Sequence, residues 1–329
     1  MNSVGIQVAG SRRERVMVAL FRGETLTLEN SRYLEAVSSL TIKLLQSDLE
    51  PADLTTEALG LEKRTAEVSI VAVESGVVAG LEEAAWLYGR TGLRVERLTA
   101  DGERVRSDEA VLRIQGNAKV LLQLERVGLN VIQRMSGIAT ATRRLRELVN
   151  SRSPGTAVVA TRKTPWGLLD KRAVHLGGGG THRLGLWDAI LIKSNHLRFF
   201  GSEEEGASLA LKRAWPRRQQ AAFVEVEVTG LAGALAAART YRDLQQEEPE
   251  ACACFLLLDN ADAREVRRMV AALQAQGLWE HVLLEVSGRI SEMTIESYAA
   301  CGVDAISAGA LTHSCRALDL RARMRPTAE

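Results

Sequence analysis

The chain has 329 residues, with 42 basic against 41 acidic side chains and a net charge of +1. That balance excludes a protein that holds nucleic acid by bulk charge, so any cationic site has to be a local cluster. Hydrophobic residues at 46% and charged residues at 25% are ordinary globular usage, and the length allows one large α/β domain or two domains.

The first residues, MNSVGIQVAGSRRERVMVALFRGETL, carry no long apolar run before a small-residue cleavage site, and no segment reaches the length of a membrane span. The expectation is a cytoplasmic protein without membrane attachment. Cys252, Cys254, Cys301 and Cys315 contain no CxxC pair, which favours buried free thiols over zinc ligands.

Residues 1–32 read as an N-terminal extension, with VMVALFRGETLTL either a strand or hairpin or simply part of that leading segment. Apolar residues at helical spacing in YLEAVSSLTIKLLQSDL predict a helix over about 33–50. AEVSIVAVESG alternates as a half-buried strand does, and SGVVAGLEEAAWLYGRTG turns into a helix ended by Gly89 and Gly92. Short strands joined by turns follow, with Asp101-Gly102 as a turn signal. A long helical segment covers about 119–150, and Gly137 is expected to interrupt it.

Beyond residue 150 the rhythm changes. TAVVATRK, WDAILIK, AFVEVEV, CACFLLLDN, HVLLEVSG and VDAISAGA read as strands, separated by helical segments and closed by a last helix in SCRALDLRAR. Near-continuous aliphatic strands alternating with helices mark a parallel sheet with crossover helices, open or closed into a barrel.

The charges fall at the C-terminal ends of those strands. They are Thr161-Arg162-Lys163, then Lys193, Glu225 and Glu227, Asp259-Asn260, Glu285-Val286-Ser287-Gly288, and Ser307-Ala308-Gly309. In (β/α) barrels these ends converge on one mouth that carries the active site, and the late loops often bind phosphate. Arg162, Lys163, Arg183, Lys193 and His182 outnumber Glu227 and Asp259 there, which points to an anionic ligand. Arginine forks suit flat carboxylates, and the separate acids suit a divalent metal or sugar hydroxyls.

The chain resembles the quinolinate phosphoribosyltransferase family through LERVGLNVIQRMSGIAT, TRKTP, GGGGTHRLGLWDAILIKSNH, VEVEV, LLLDN, EVSGRI and DAISAGALTHS, in that order over about 120–320. The resemblance implies an N-terminal α/β sandwich domain followed by an open, incomplete (β/α) barrel. The corresponding boundaries are an extension over 1–32, the sandwich over 33–118, connecting helices over 119–150 and the catalytic barrel over 151–329. It also implies decarboxylating transfer of a phosphoribosyl group from phosphoribosyl pyrophosphate (PRPP) to quinolinate with Mg²⁺, giving nicotinate mononucleotide, pyrophosphate and CO₂. The expected assembly is a homodimer, with larger assemblies left open.

By the same resemblance, Arg162, Thr164, His182, Arg183 and Lys193 bind quinolinate, with Arg126 reaching in from the neighbouring subunit. Ser287, Gly288, Arg289, Gly309 and His313 bind phosphate. Lys163, which also holds phosphate, Glu227 and Asp259 are the expected catalytic residues, the two acids positioning Mg²⁺ directly or through water. The pattern departs in places. TRKTPWG is a shorter loop than usual, Ser194 replaces an acid in IKSNH, and Arg289 stands at a usual glycine. The alternatives are a ModD-like paralogue, against which Lys193 argues, a nicotinate phosphoribosyltransferase, and a non-catalytic phosphate- or nucleotide-binding barrel, against which Glu227 and Asp259 argue.

Overall fold

The computed structural model describes residues 10–248 and 252–327. The part of the expected N-terminal extension at residues 1–9 lies outside the described residues. Two compact units emerge, and both are discontinuous in sequence. One takes its described residues from 10–22, 144–163 and 179–310, the other from 23–143, 164–178 and 311–327.

The second unit is built on antiparallel strands. These are β1 (Thr65–Ala72), β2 (Gly76–Val77), β3 (Arg94–Arg97), β4 (Arg104–Val105) and β5 (Ala110–Asn117). Val68 lies opposite Ile114 and Ile70 opposite Leu112 in the β1–β5 pair. All four are buried, together with Leu121, Leu124 and Ile132 of the helix Ala118–Arg152. Each such side chain contributes roughly 1.5–3 kcal/mol by leaving water. That helix is continuous through Gly137, contrary to the expected interruption. The glycine answers to packing instead, because a methyl group there would sit 2.1 Å from the carbonyl oxygen of Arg316.

The first unit is a parallel sheet of β6 (Ala157–Val159), β7 (Ile190–Ile192), β8 (Phe223–Val228), β9 (Ala253–Asp259), β10 (Leu283–Ser287) and β11 (Ala305–Ser307). The strand order is β6-β11-β10-β9-β8-β7. The last strand pairs with the first, as in a (β/α) barrel, and the sheet opens between β6 and β7. At that opening only the bridge between Val159 and Gly180 is formed among the described residues.

Helix Arg12–Leu20 closes the N-terminal end of this sheet, where a strand or hairpin was expected. Ser11 and Glu14 form a reciprocal cap, the S-x-x-E signature of a helix start. Val16, Ala19 and Leu20 pack against Phe223, Phe255, Leu283 and Ala305 on the inner strand faces. Arg12 fastens the helix from outside, pairing with Asp304 and donating to the Trp279 carbonyl at 2.6 Å.

The chain ends in β12 (Leu320–Pro326), which returns to the antiparallel unit and pairs with β1, Ile70 facing Ala322. The expected closing helix over SCRALDLRAR is thus corrected to an irregular stretch that runs into a strand, after a short helix at Ala310–His313. Leu320, Ala322 and Met324 alternate with Arg321, Arg323 and Arg325, and a period of two suits a sheet.

Candidate active site

Side chains on the inner face of the parallel sheet change character from one end to the other. At the N-terminal end lie Phe223, Phe255 and Leu283, sealed by the Arg12–Leu20 helix. One step along come Glu225 and Glu285, both buried. At the C-terminal end stand Glu227, Asp259, Ser287 and Ser307. Strand alternation makes this gradient, since every second residue points inward.

Lys193 follows β7 directly, is exposed, and starts the short helix Ser194–Leu197. Glu227 is buried and accepts the backbone N–H of Ser194 on Oε1 at 3.2 Å. Asp259 ends β9 and accepts Asn260 Nδ2 at 2.8 Å. Two carboxylates at the ends of adjacent strands form an all-oxygen donor set, which fits a hard divalent cation.

Asn260 is left-handed at φ 56° and donates its N–H to the Ser287 carbonyl at 2.9 Å, tying the ends of β9 and β10 together. Gly288 is also left-handed at φ 100°, and a methyl group there would lie 2.4 Å from Asn260 Oδ1. Arg289 holds φ 53° with an exposed side chain, an unusual conformation for a residue with a β-carbon. Gly309 follows β11. Arg162 and Lys163 are exposed in the loop after β6.

Arg183 is 6% exposed. Burial, and after it the positive charge of Arg162, lowers its pKa; Glu225 and Asp188 oppose that shift. Arg183 also donates through Nη1 to the Ala189 carbonyl at 3.5 Å.

His182 is buried, left-handed at φ 53°, and stands edge-on to Phe223 with ring centroids 5.1 Å apart. Its Nε2 lies 3.1 Å from Glu225 Oε2 and 3.2 Å from Glu285 Oε2. Burial opposes charge on the ring, while Glu285 and Glu225 outweigh it and raise the pKa to about 9. Glu225 is itself raised to about 7, by burial first and Glu285 second. Nδ1 accepts the Arg183 N–H at 2.8 Å. A ring carrying both protons would have to give up that bond, so the raised pKa and the Nδ1 acceptor belong to different protonation states of one coupled site. The three residues' ligand atoms all lie within 4.8 Å of one another. The acids had been visible in the sequence, but their convergence on one imidazole had not.

Eleven of the expected site residues thus belong to the parallel unit, on its C-terminal side or on the loops that follow its strands. Arg126, Thr164 and His313 belong to the antiparallel unit. Arg126 is exposed on the helix Ala118–Arg152. Exposed His313 ends the helix Ala310–His313, its Nδ1 2.5 Å from Ser314 Oγ. Thr164 donates to Asp170, a fully buried acid that the sequence reading missed. Asp170 also accepts the Trp166 N–H at 3.2 Å and both Nε and Nη2 of Arg134 at 2.9 Å. Arg134 in turn donates to the carbonyl of Thr312, next to His313, at 2.9 Å. The available signal was an acid inside the apolar helix LLDKRAVHL.

Residues 53–136 match the family described as quinolinate phosphoribosyl transferase, N-terminal domain, and residues 138–323 match its C-terminal domain. The chain is 38% identical over 274 residues to the nicotinate-nucleotide pyrophosphorylase (carboxylating) of Mycobacterium leprae, covering 82% of this chain and 89% of that one. It is 34% identical over 305 residues to quinolinate phosphoribosyltransferase (decarboxylating) 1 of Nicotiana glauca, covering 87% and 81%. The crystal structure of NadC from Streptococcus pyogenes superposes with a TM-score of 0.76 at 30% identity, covering 89% and 97%.

Proposed function

The chain belongs to the quinolinate phosphoribosyl transferase family, and on that premise we propose that it transfers the phosphoribosyl group of PRPP to quinolinate. The products are nicotinate mononucleotide, pyrophosphate and CO₂, in NAD biosynthesis. Relatives named for this reaction match more than four-fifths of the chain and of themselves. The observation that carries the reading is the gathering of Arg162, Lys163, Lys193, Glu227 and Asp259 at the C-terminal ends of the parallel strands, with Arg183 buried in the same unit. Quinolinate, with two adjacent carboxylates, supplies the flat anionic groups that arginine forks accept.

In this reading Arg162, Arg183 and Lys193 grip the carboxylates. Each charge-assisted hydrogen bond contributes roughly 1.5–3 kcal/mol, enough together to hold the ring nitrogen against the ribose carbon. Lys163, Ser287, Gly288, Arg289 and Gly309 hold the phosphates. Glu227 and Asp259 hold Mg²⁺ and ribose hydroxyls, and they stabilise the positive charge that develops on the sugar as the pyrophosphate departs. Bound Mg²⁺ supplies charge neutralisation for that leaving group. No protein nucleophile is required, because positioning and electrostatics carry the reaction. Once alkylated, the pyridine nitrogen is cationic and stabilises the carbanion that departing CO₂ leaves on the neighbouring ring carbon, which then takes up a proton from water.

The proposed assembly is a homodimer in which Arg126, exposed on its helix, serves the neighbouring copy. The proposed location is the cytoplasm. Among the described residues no helix is long and apolar enough to cross a membrane.

The test is formation of nicotinate mononucleotide from quinolinate, PRPP and Mg²⁺, with nicotinate as the control substrate. Turnover with quinolinate and none with nicotinate is expected. Lys163→Ala and Glu227→Ala should each lower kcat at least about 100-fold in folded protein. Full activity in both variants would remove these residues from the mechanism, and an inactive parent protein would overturn the reading.

A further inference from the structure

We propose that residues 20–22 of the N-terminal extension form a strap across the opening of the parallel sheet, and that Arg22 is a positioning residue that sets Arg183 for quinolinate through Asp188. The proposal rests on the quinolinate reading and deepens it with a residue that lies ahead of residue 53, where the match to the family begins.

The sheet opens between β6 and β7, and Gly180 makes the bridge to Val159 on the β6 side. The next two residues hold the extension. His182 N–H donates to the Leu20 carbonyl at 3.0 Å. Thr181 Oγ1 accepts the Arg22 N–H at 3.2 Å, and its own proton goes to the carbonyl of Leu20 at 3.2 Å or of His182 at 3.0 Å. On the β7 side, Arg22 Nη2 pairs with Asp188 Oδ1 at 3.4 Å, two residues before that strand begins. The strap therefore joins both borders of the gap. The fit is close, since a methyl group on Gly180 would lie 3.0 Å from the Leu20 carbonyl oxygen and 3.2 Å from the Phe21 ring.

The strap holds the backbone on either side of Arg183. Asp188 is 4% exposed. One of its oxygens takes Arg22, and the other, Oδ2, accepts the Leu184 N–H at 2.8 Å. The amide before Arg183 is thus bonded to the extension itself, and the amide after it to a carboxylate that the extension orients. His182 is left-handed at φ 53°, a conformation that a residue with a β-carbon keeps where its surroundings over-determine it. This turn carries His182 and Arg183, both expected to meet quinolinate. Loss of Arg22 would strip a buried carboxylate of its ion pair, and the carboxylate would then turn toward other donors and away from Leu184.

A plug for the N-terminal end of the sheet is the competing role, since Val16, Ala19 and Leu20 pack against Phe223, Phe255, Leu283 and Ala305. That role accounts for the helix Arg12–Leu20. It does not account for Arg22, which lies past the helix end and is aimed at Asp188.

Two measurements on the full-length protein test this. The first is kinetic. Arg22→Ala should raise KM for quinolinate about fivefold and hold KM for PRPP within about twofold, and the rise should fall below about twofold in an Arg183→Ala background. Arg22→Lys, which keeps a cation beside Asp188, should recover most of the loss. Arg12→Ala, which loosens the helix where it meets Asp304, should lower the melting temperature and leave KM for quinolinate within about twofold. An unchanged KM in Arg22→Ala, an equal rise in KM for PRPP, additive losses with Arg183→Ala, a lysine no better than alanine, or the same rise in Arg12→Ala would each overturn the proposal.

The second measurement is hydrogen exchange of the ligand-free protein. In Arg22→Ala, amides within residues 179–188 should exchange about tenfold faster, while strand β9 keeps its parent rate. Equal rates in the two proteins, or an acceleration shared by β9, would refute the strap. Exchange needs no turnover. A parent protein that fails to convert quinolinate would therefore sink the quinolinate reading, and the exchange rates would still judge the strap.

Discussion

Arg134 and Asp170 meet as two parallel forks, Nε on Oδ1 and Nη2 on Oδ2, both at 2.9 Å. The carboxylate has no exposed surface, and the guanidinium also lies over the Trp166 ring, 5.1 Å from its centroid. Removing the acid leaves a partly buried cation and strips acceptors from Thr164 and Trp166. Asp170→Ala should therefore cost about 3 kcal/mol of stability, in the range measured for broken buried pairs. Chemical denaturation followed by the tryptophan signal checks it, and a loss under 1 kcal/mol would show that water replaces the fork.

Gly137 offers a test in which helix propensity and packing have opposite signs. Alanine in a helix interior is favoured over glycine by about 1 kcal/mol. At Gly137 the added methyl would lie 2.1 Å from the Arg316 carbonyl oxygen and 2.9 Å from Ala317 Cα. The clash should win, so that Gly137→Ala destabilises by about 1–3 kcal/mol. A thermal melt above that of the parent would mean that the 316–317 segment yields freely.

Arg289 stands in a left-handed conformation that glycine adopts without strain. Arg289→Gly should raise stability by about 1 kcal/mol. If the guanidinium holds a phosphate of PRPP, the same change raises KM for PRPP by about tenfold and leaves KM for quinolinate unchanged. Stability and the two KM values are read from one purified variant. A gain in stability with no kinetic change would reduce Arg289 to a surface residue.

Glu83 predicts a pH dependence. Its carboxylate accepts the Tyr33 hydroxyl at 2.6 Å and pairs with Arg172 Nε at 2.8 Å, yet burial, followed by repulsion from Asp101, raises its pKa from 4.5 to about 7. A folded pKa above the unfolded one means that the native state holds the proton more tightly. The resulting stability is full below about pH 4.5 and is lost as the pH rises through about 7. Unfolding free energy measured between these values should decline more gently in Glu83→Gln, by at most about 1.4 kcal/mol per pH unit. Identical slopes in the two proteins would place the proton elsewhere.

The alternation of helices with aliphatic strands was legible because a parallel sheet buried on both faces needs continuous apolar runs such as CACFLLLDN. The loading of strand ends with charge was legible for a related reason, since the C-terminal mouth of such a sheet is where water or ligand reaches polar side chains. The strand β12 was misread because alanine, leucine and arginine all favour helices, while its partner β1 lies some 250 residues upstream. The partners of Asp170 and of the two glutamates around His182 were hidden in a different way. Only the folded chain shows that Arg134 or an imidazole stands opposite each acid. Gly137 was read as a breaker because a sequence does not show which backbone passes against a helix.

The interleaving of the two units constrains how the chain reaches its native state during synthesis. Helix Arg12–Leu20 packs with strands that extend to Ser307, and β1 is flanked by β12 near the end of the chain. Neither unit can be completed while the ribosome still holds the last hundred or so residues, so folding one domain at a time behind the ribosome is closed to this topology. Its early strands emerge with unsatisfied edges, and pairing them across such separations is slow. The nascent chain is therefore a natural client for chaperones, and overexpression should load the aggregation pathway well before it strains the finished enzyme.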